Sequence, residues 1–156
     1  MIRRAVVEDI PEICAMVREL AEYEKALEEV RASEGQLREA LFGESPAAYA
    51  HMAEGEDGEV VGFALWFLNF STWRGVHGIY LEDLYVRPTA RGGGHGKALL
   101  TALAQTCVER GYERLEWSVL KWNRPSIEFY ESVGARPQAE WDVYRLTDDA
   151  LKQLGS

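Results

Sequence analysis

The chain has 156 residues, 47% hydrophobic and 28% charged, the size of one globular domain with one substantial core. Its 17 basic and 26 acidic residues leave a formal charge of −9, so nucleic acid is not an expected partner and a small cation is a better one. The longest strongly apolar stretch, Val60 to Leu68, is interrupted by Gly62 and falls far short of the roughly 20 residues that cross a bilayer, so no membrane partner is expected.

Residues 2 to 6 read as a short strand. Ile10, Ile13, Cys14, Val17, Leu20 and Ala21 then recur at helical spacing, with Asp9 and Pro11 at the start. Ser33 followed by Gln36 is a capping box, and Gly43 stops the short helix it opens. Tyr49 to Glu54 and Val60 to Asn69 are strands joined through Asp57-Gly58 and expected to pair antiparallel. A loop with Trp73, Gly75 and Gly78 precedes a strand from Ile79 to Val86. The glycine-dense turn Pro88 to Gly96 leads into a helix that Gly111 ends, and Arg114 to Leu120 follows as a strand. Such a crossover makes those two strands parallel neighbours. Pro125 or Ser126 opens a helix ending before Gly134, and Trp141 to Leu146 is a late strand. With no linker or repeat, residues 1–156 form one mixed α/β domain. The N-terminus lacks the apolar core of a secretory signal, and Cys14 and Cys107 are isolated, without metal-ligand spacing. A cytoplasmic protein with no metal is expected.

The sharpest signal is Arg91-Gly92-Gly93-Gly94-His95-Gly96-Lys97, set between a strand and the first turn of a helix. Glycines admit a ligand close to the backbone, and the helix start presents unpaired N–H groups and partial positive charge, which together cradle an anion. From Arg87 to Lys97 there are three basic residues and no acid. The Walker pattern fails because Arg91 stands at its first glycine and Ala98 at its Ser/Thr; the dinucleotide pattern fails at Lys97. The alternative is a glycine turn without a ligand.

In the preceding strand Glu82 and Asp83 are adjacent carboxylates among apolar residues, a costly placement unless they have a partner or a task. Regular alternation sends them to opposite faces, and a bulge would redirect either one. Ion pairing with a nearby Arg or Lys is the competing explanation. Downstream, Asn123 precedes a helix that carries Tyr130, which is either an acid able to protonate a leaving thiolate or a core aromatic in the stripe with Ile127 and Gly134.

The Arg-x-x-Gly-x-Gly loop resembles the acetyl-CoA pyrophosphate loop of the GNAT-type N-acetyltransferases. Leu20 to Lys25, Phe70 to Gly75 and Tyr80 to Val86 resemble their diamine acetyltransferase subgroup, and the thialysine branch above all. The resemblance implies a central mixed, twisted sheet of about seven strands flanked by helices, acetyl-CoA as co-substrate, a small primary amine as acceptor, and a homodimer. It places Leu84, Tyr85 and Val86 on the pantetheine arm, Arg91, Gly92, Gly93, Gly94, His95, Gly96 and Lys97 at the pyrophosphate, and Asn123, Arg124, Pro125 and Ser126 as further coenzyme contacts. Tyr130 aligns with the proton donor. Tyr23, Glu24, Trp73, Glu82, Asp83 and Glu140 fall on the acceptor side; an amine arriving as ammonium must lose a proton before attack, and Glu82 is the candidate general base, directly or through a water. Ser71 stands where the polyamine enzymes carry an acid, which points away from spermidine. The acidic stretch Glu19, Glu22, Glu24, Glu28 and Glu29 could serve any amine, and for all but Glu24 the favoured reading is a solvated helix face. A protein N-terminus, a lysine side chain or an antibiotic amine remains open as acceptor, and so does a coenzyme-binding sensor without turnover.

Overall fold

Strand β1, Ile2–Arg4, leads into helix α1, Ile10–Tyr23, in the computed structural model, which describes residues 1–156 as two units, Met1–Ser118 and Val119–Ser156. The predicted stripe is buried in part: Ile10 and Ile13 are fully enclosed and Val17 and Leu20 pack beside them, while Met16, outside that stripe, is also fully enclosed and Cys14 and Ala21 are half-buried. Helix α2, Glu34–Phe42, starts on the expected capping box. Gln36 N–H donates to Ser33 Oγ at 3.1 Å, and Ser33 N–H to Gln36 Oε1 at 2.9 Å.

Strands β2, Tyr49–Glu54, β3, Val60–Ser71, and β4, Val76–Val86, form an antiparallel meander in which β2 and the first half of β3 are buried on both faces. On one face Ala50, Met52, Phe63, Leu65 and Tyr85 form a core with α1 and Leu41 of α2. Helix α3, His95–Arg110, crosses β2, β3 and β4, burying Leu99, Leu100, Leu103 and Cys107. Strand β5, Leu115–Trp117, then returns parallel to β4, as the crossover requires, in the order β1-β2-β3-β4-β5.

Three expectations need correction. The segment around Gly78 is strand rather than loop. A Cβ at Gly78 would sit 2.8 Å from Asn69 Oδ1 and 2.9 Å from Arg114 O, so this glycine permits strand packing and does not break it. The strand expected over Arg114 to Leu120 shortens to Leu115–Trp117. The sheet has five strands rather than about seven, and Trp141 to Leu146 is not among them: it forms no strand, and Val143 is 83% and Tyr144 93% exposed. Strand-forming side chains make a strand only where a neighbouring chain completes the ladder, and no strand pairs with this segment. The second unit holds helix α4, Arg124–Ser132, closed at Gly134 (φ 97°), and an unforeseen helix α5, Asp148–Leu154.

His51 on β2 is 7% exposed, and its Nδ1 accepts the indole N–H of Trp66 at 3.0 Å. Burial, with Arg4 and Arg110 nearby, pushes its pKa down to about 4 from the ordinary 6.5. The fold therefore holds the neutral ring. Its contribution is complete above pH 6.5 and is lost as pH falls through 4, a span worth on the order of 3 kcal/mol. Thermal unfolding should show the wild type losing stability across that window faster than His51→Gln, whose amide can still accept from Trp66. Parallel curves would refute the assignment.

Candidate active site

The ladder between β3 and β4 contains one irregularity: Leu65 faces Asp83 while Trp66 faces Leu81, which leaves Glu82 as an extra residue without a partner. In an unbroken strand Leu81 and Asp83 would share a face. Here Leu81 stays beside Trp66, and Asp83 turns with Leu65 to the α1 side. The bulge thus delivers Glu82 and Asp83 to one place, an open cleft of about 270 Å³. Val17, Leu20 and Val30 give it an apolar wall; Glu24, Glu29, Glu82 and Asp83 supply four carboxylates, and no basic side chain lines it.

Burial, reinforced by Glu82 and Glu24, pushes Asp83 up to about pH 7, and burial followed by Glu82 raises Glu24. Such a cleft gains by taking in positive charge, and Asp83 can exchange a proton near neutrality. Ion pairing with a protein cation, the competing explanation for these acids, is absent: none of the salt bridges involves Glu82 or Asp83.

Glu24 reaches the cleft because α1 ends in a Schellman turn: Ala26 N–H donates to Ala21 O at 2.8 Å and Lys25 N–H to Glu22 O at 3.0 Å. The left-handed position of that turn is Lys25 (φ 63°) rather than glycine. The one-turn helix Leu27–Glu29 then brings Glu29 back to the same cleft. Helical periodicity cannot register this reversal, so Glu29 read as solvated.

At the other end of β4 the backbone is open. β5 pairs only with Ile79, Tyr80 and Leu81, so Leu84, Tyr85 and Val86 have no strand on that edge. A short turn, Pro88–Ala90, follows, then Gly92 (φ 88°) and Gly94 (φ 81°), and a Cβ at either glycine would meet nothing within 4 Å. Gly94 caps α3, whose first turn carries His95, Gly96 and Lys97 with backbone N–H groups that the helix cannot pair. A Cβ at Gly93 would lie 3.2 Å from the His95 ring. Open space, left-handed backbone and unpaired amides at one bend fit a diphosphate.

The positive charge of this loop is smaller than the sequence suggests. Arg87 pairs with Glu12 at 2.8 Å and Glu19 at 3.2 Å, and Glu19 also accepts the Tyr85 hydroxyl at 3.1 Å. Arg91 donates from Nε to Val86 O at 3.1 Å, and its guanidinium carbon lies 5.3 Å from the Tyr23 ring centre. Glu12, Glu19 and Tyr23 all stand on α1, so both arginines are engaged there.

In the second unit Asn123 is buried, and its Oδ1 accepts Ser126 N–H at 3.4 Å across the first turn of α4, which holds Arg124 and Pro125. Tyr130 is half-buried on the same helix with its ring 5.5 Å from that of Phe129, and Glu140 lies exposed in a turn. Trp73 is not brought to the acidic cleft. It stands 81% exposed at the β3–β4 turn, separated from Glu82 by about 20 Å of strand.

A bulged β4 carrying paired acids, followed by an open glycine bend on a helix, fits an acyltransferase of coenzyme A type. The acetyltransferase (GNAT) family matches residues 13–135, and the chain belongs to that family, as an acetyl-CoA-dependent N-acetyltransferase. It is similar to the thialysine N-epsilon-acetyltransferase of Bos taurus, at 38% identity over 99% of this chain and 96% of that one. It also resembles the L-ornithine N5-acetyltransferase of Arabidopsis thaliana, at 44% identity over 61% of this chain and 42% of the relative. Among solved structures, an integron cassette protein from the mobile metagenome of V. cholerae superposes with a TM-score of 0.82, at 28% identity over 99% of this chain and 96% of the other.

Proposed function

We propose that this enzyme acetylates the primary amine of a small cationic substrate: a diamine, a polyamine or a thialysine- or lysine-like amine. The observation that carries this reading is the cleft whose four carboxylates face no protein cation. The names of the relatives, a thialysine and an ornithine acetyltransferase, agree with it. We read residues 1–156 as one acetyltransferase domain, since the family match runs from residue 13 to residue 135, across the division between the two units.

In this reading Gly92, Gly94 and the first-turn amides of α3 hold the diphosphate, and the unpaired edge at Leu84, Tyr85 and Val86 holds the pantetheine arm. Acetyl-CoA, when bound, supplies the acetyl group as a thioester. The amine arrives as an ammonium ion, attracted and oriented by Glu24, Glu29 and Asp83. It must lose a proton before it can attack, and Glu82, through a water molecule, accepts it. The Tyr130 hydroxyl donates the proton that the departing sulfur requires.

The test mixes the protein with acetyl-CoA and a panel of amines (thialysine, ornithine, 1,4-diaminobutane, spermidine and a monoamine), following free thiol and weighing the products. Release should be fastest with acceptors that carry a second positive charge. Coenzyme binding without thiol release from any amine would instead make the protein a sensor. Tyr130→Phe should lower kcat about 100-fold with coenzyme affinity changed less than about twofold. An unchanged kcat would remove Tyr130 from the reaction.

A further inference from the structure

We propose that Arg91 is a positioning residue that links the glycine loop to the amine-binding end of α1, so that filling either side strengthens binding at the other. This rests on the proposed acetyltransferase function and extends it from two adjacent sites to two coupled ones.

Arg91 immediately precedes Gly92, yet its side chain reaches away from the bend. Nε donates to Val86 O at 3.1 Å, and the guanidinium carbon lies 5.3 Å from the Tyr23 ring centre and 5.9 Å from that of Tyr85. The two rings differ in how they are held. Tyr85 is 6% exposed and fixed through its hydroxyl to Glu19, whereas Tyr23 is 39% exposed, so surface contacts rather than core burial set its position. Stacking of a planar cation on that ring is one such contact.

Tyr23 is the last residue of α1 and leads directly into the turn at the acidic cleft. Glu24 is a wall of that cleft, and Lys25 holds a left-handed conformation that glycine adopts far more readily. A turn of that kind persists only when its surroundings hold it in place. Arg91 braces the residue just before Glu24 from the loop that would grip the diphosphate. Ordering that loop therefore orders the turn that presents Glu24, and by linkage the reverse holds with the same factor.

Calorimetry with coenzyme A and 1,4-diaminobutane as probes measures the linkage directly. In the wild type each ligand should tighten the other by about two- to fivefold, the factor expected of one exposed cation–ring contact. Arg91→Lys keeps the charge but loses the planar stack, and Tyr23→Leu loses the ring. Each should abolish the mutual effect and raise the amine KM more than it lowers kcat, and the double variant should add nothing further. Full linkage in Arg91→Lys, or independent effects of the two substitutions, would overturn the proposal. If the wild type binds no diamine, the functional reading fails. The contact is then decided by thermal unfolding of the same four proteins: non-additive shifts in Tm support it, and additive shifts remove it.

Discussion

Replacing Asp83 by Asn is expected to make the fold more stable and the enzyme worse. Asp83 sits beyond the bulge with Glu82 on one side and Glu24 across the cleft, and burial together with these two neighbours raises its pKa to about 7 from an ordinary 3.8. A carboxyl group whose folded pKa lies above its unfolded one prefers its proton in the fold. Its ionisation therefore costs stability, increasingly as pH rises from 4 through 7. The amide has nearly the same shape and never ionises. At pH 8 Asp83→Asn should gain about 2 to 4 kcal/mol, or roughly 5 to 10 °C in Tm, and the gain should shrink below pH 7 and vanish near pH 4. The ammonium of the acceptor, however, would lose its most desolvated counter-charge, and the amine KM should rise about 30-fold or more. In the wild type that KM should also fall as pH passes 7 and Asp83 ionises, a dependence the variant lacks. Equal Tm values at pH 8, or an unchanged KM, would show that Asp83 carries no buried charge for the amine to neutralise.

Whether a feature of this site is legible in the sequence depends on whether its cause lies within a few residues. The capping box at Ser33 and Gln36 and the bend at Gly92 and Gly94 have local causes, and the structure shows each as its chemistry requires. The family resemblance is equally plain, because Leu20 to Lys25 and Tyr80 to Val86 are continuous segments. The bulge is not legible. It is a property of how β3 and β4 register, so alternation alone assigns Glu82 and Asp83 to opposite faces. Glu29 reads mainly as solvated surface because a chain reversal after Lys25 places it, and the contact of Arg91 with the Tyr23 ring goes unseen because nothing nearby in sequence announces it. Trp141 to Leu146 has the composition of a strand, but a strand also needs a partner, which composition cannot supply.

The largest loss of coenzyme affinity is expected from a single methyl group, in Gly94→Ala. Gly94 has φ 81°, a left-handed conformation in which an L side chain costs about 1 to 2 kcal/mol, so Tm should fall by roughly 2 to 8 °C. The added Cβ would touch no protein atom within 4 Å. Strain is therefore the whole cost to the fold, and the methyl group projects into open space at the head of α3. If that space belongs to a diphosphate, the methyl displaces it from the helix amides, and coenzyme A affinity should drop about 10- to 100-fold. Gly58 separates the two effects. It lies in the β2–β3 turn with the same φ of 81° and the same absence of neighbours within 4 Å. Gly58→Ala should lose comparable stability and leave coenzyme binding alone. Equal losses of affinity in the two variants would mean that the bend before α3 only turns the chain.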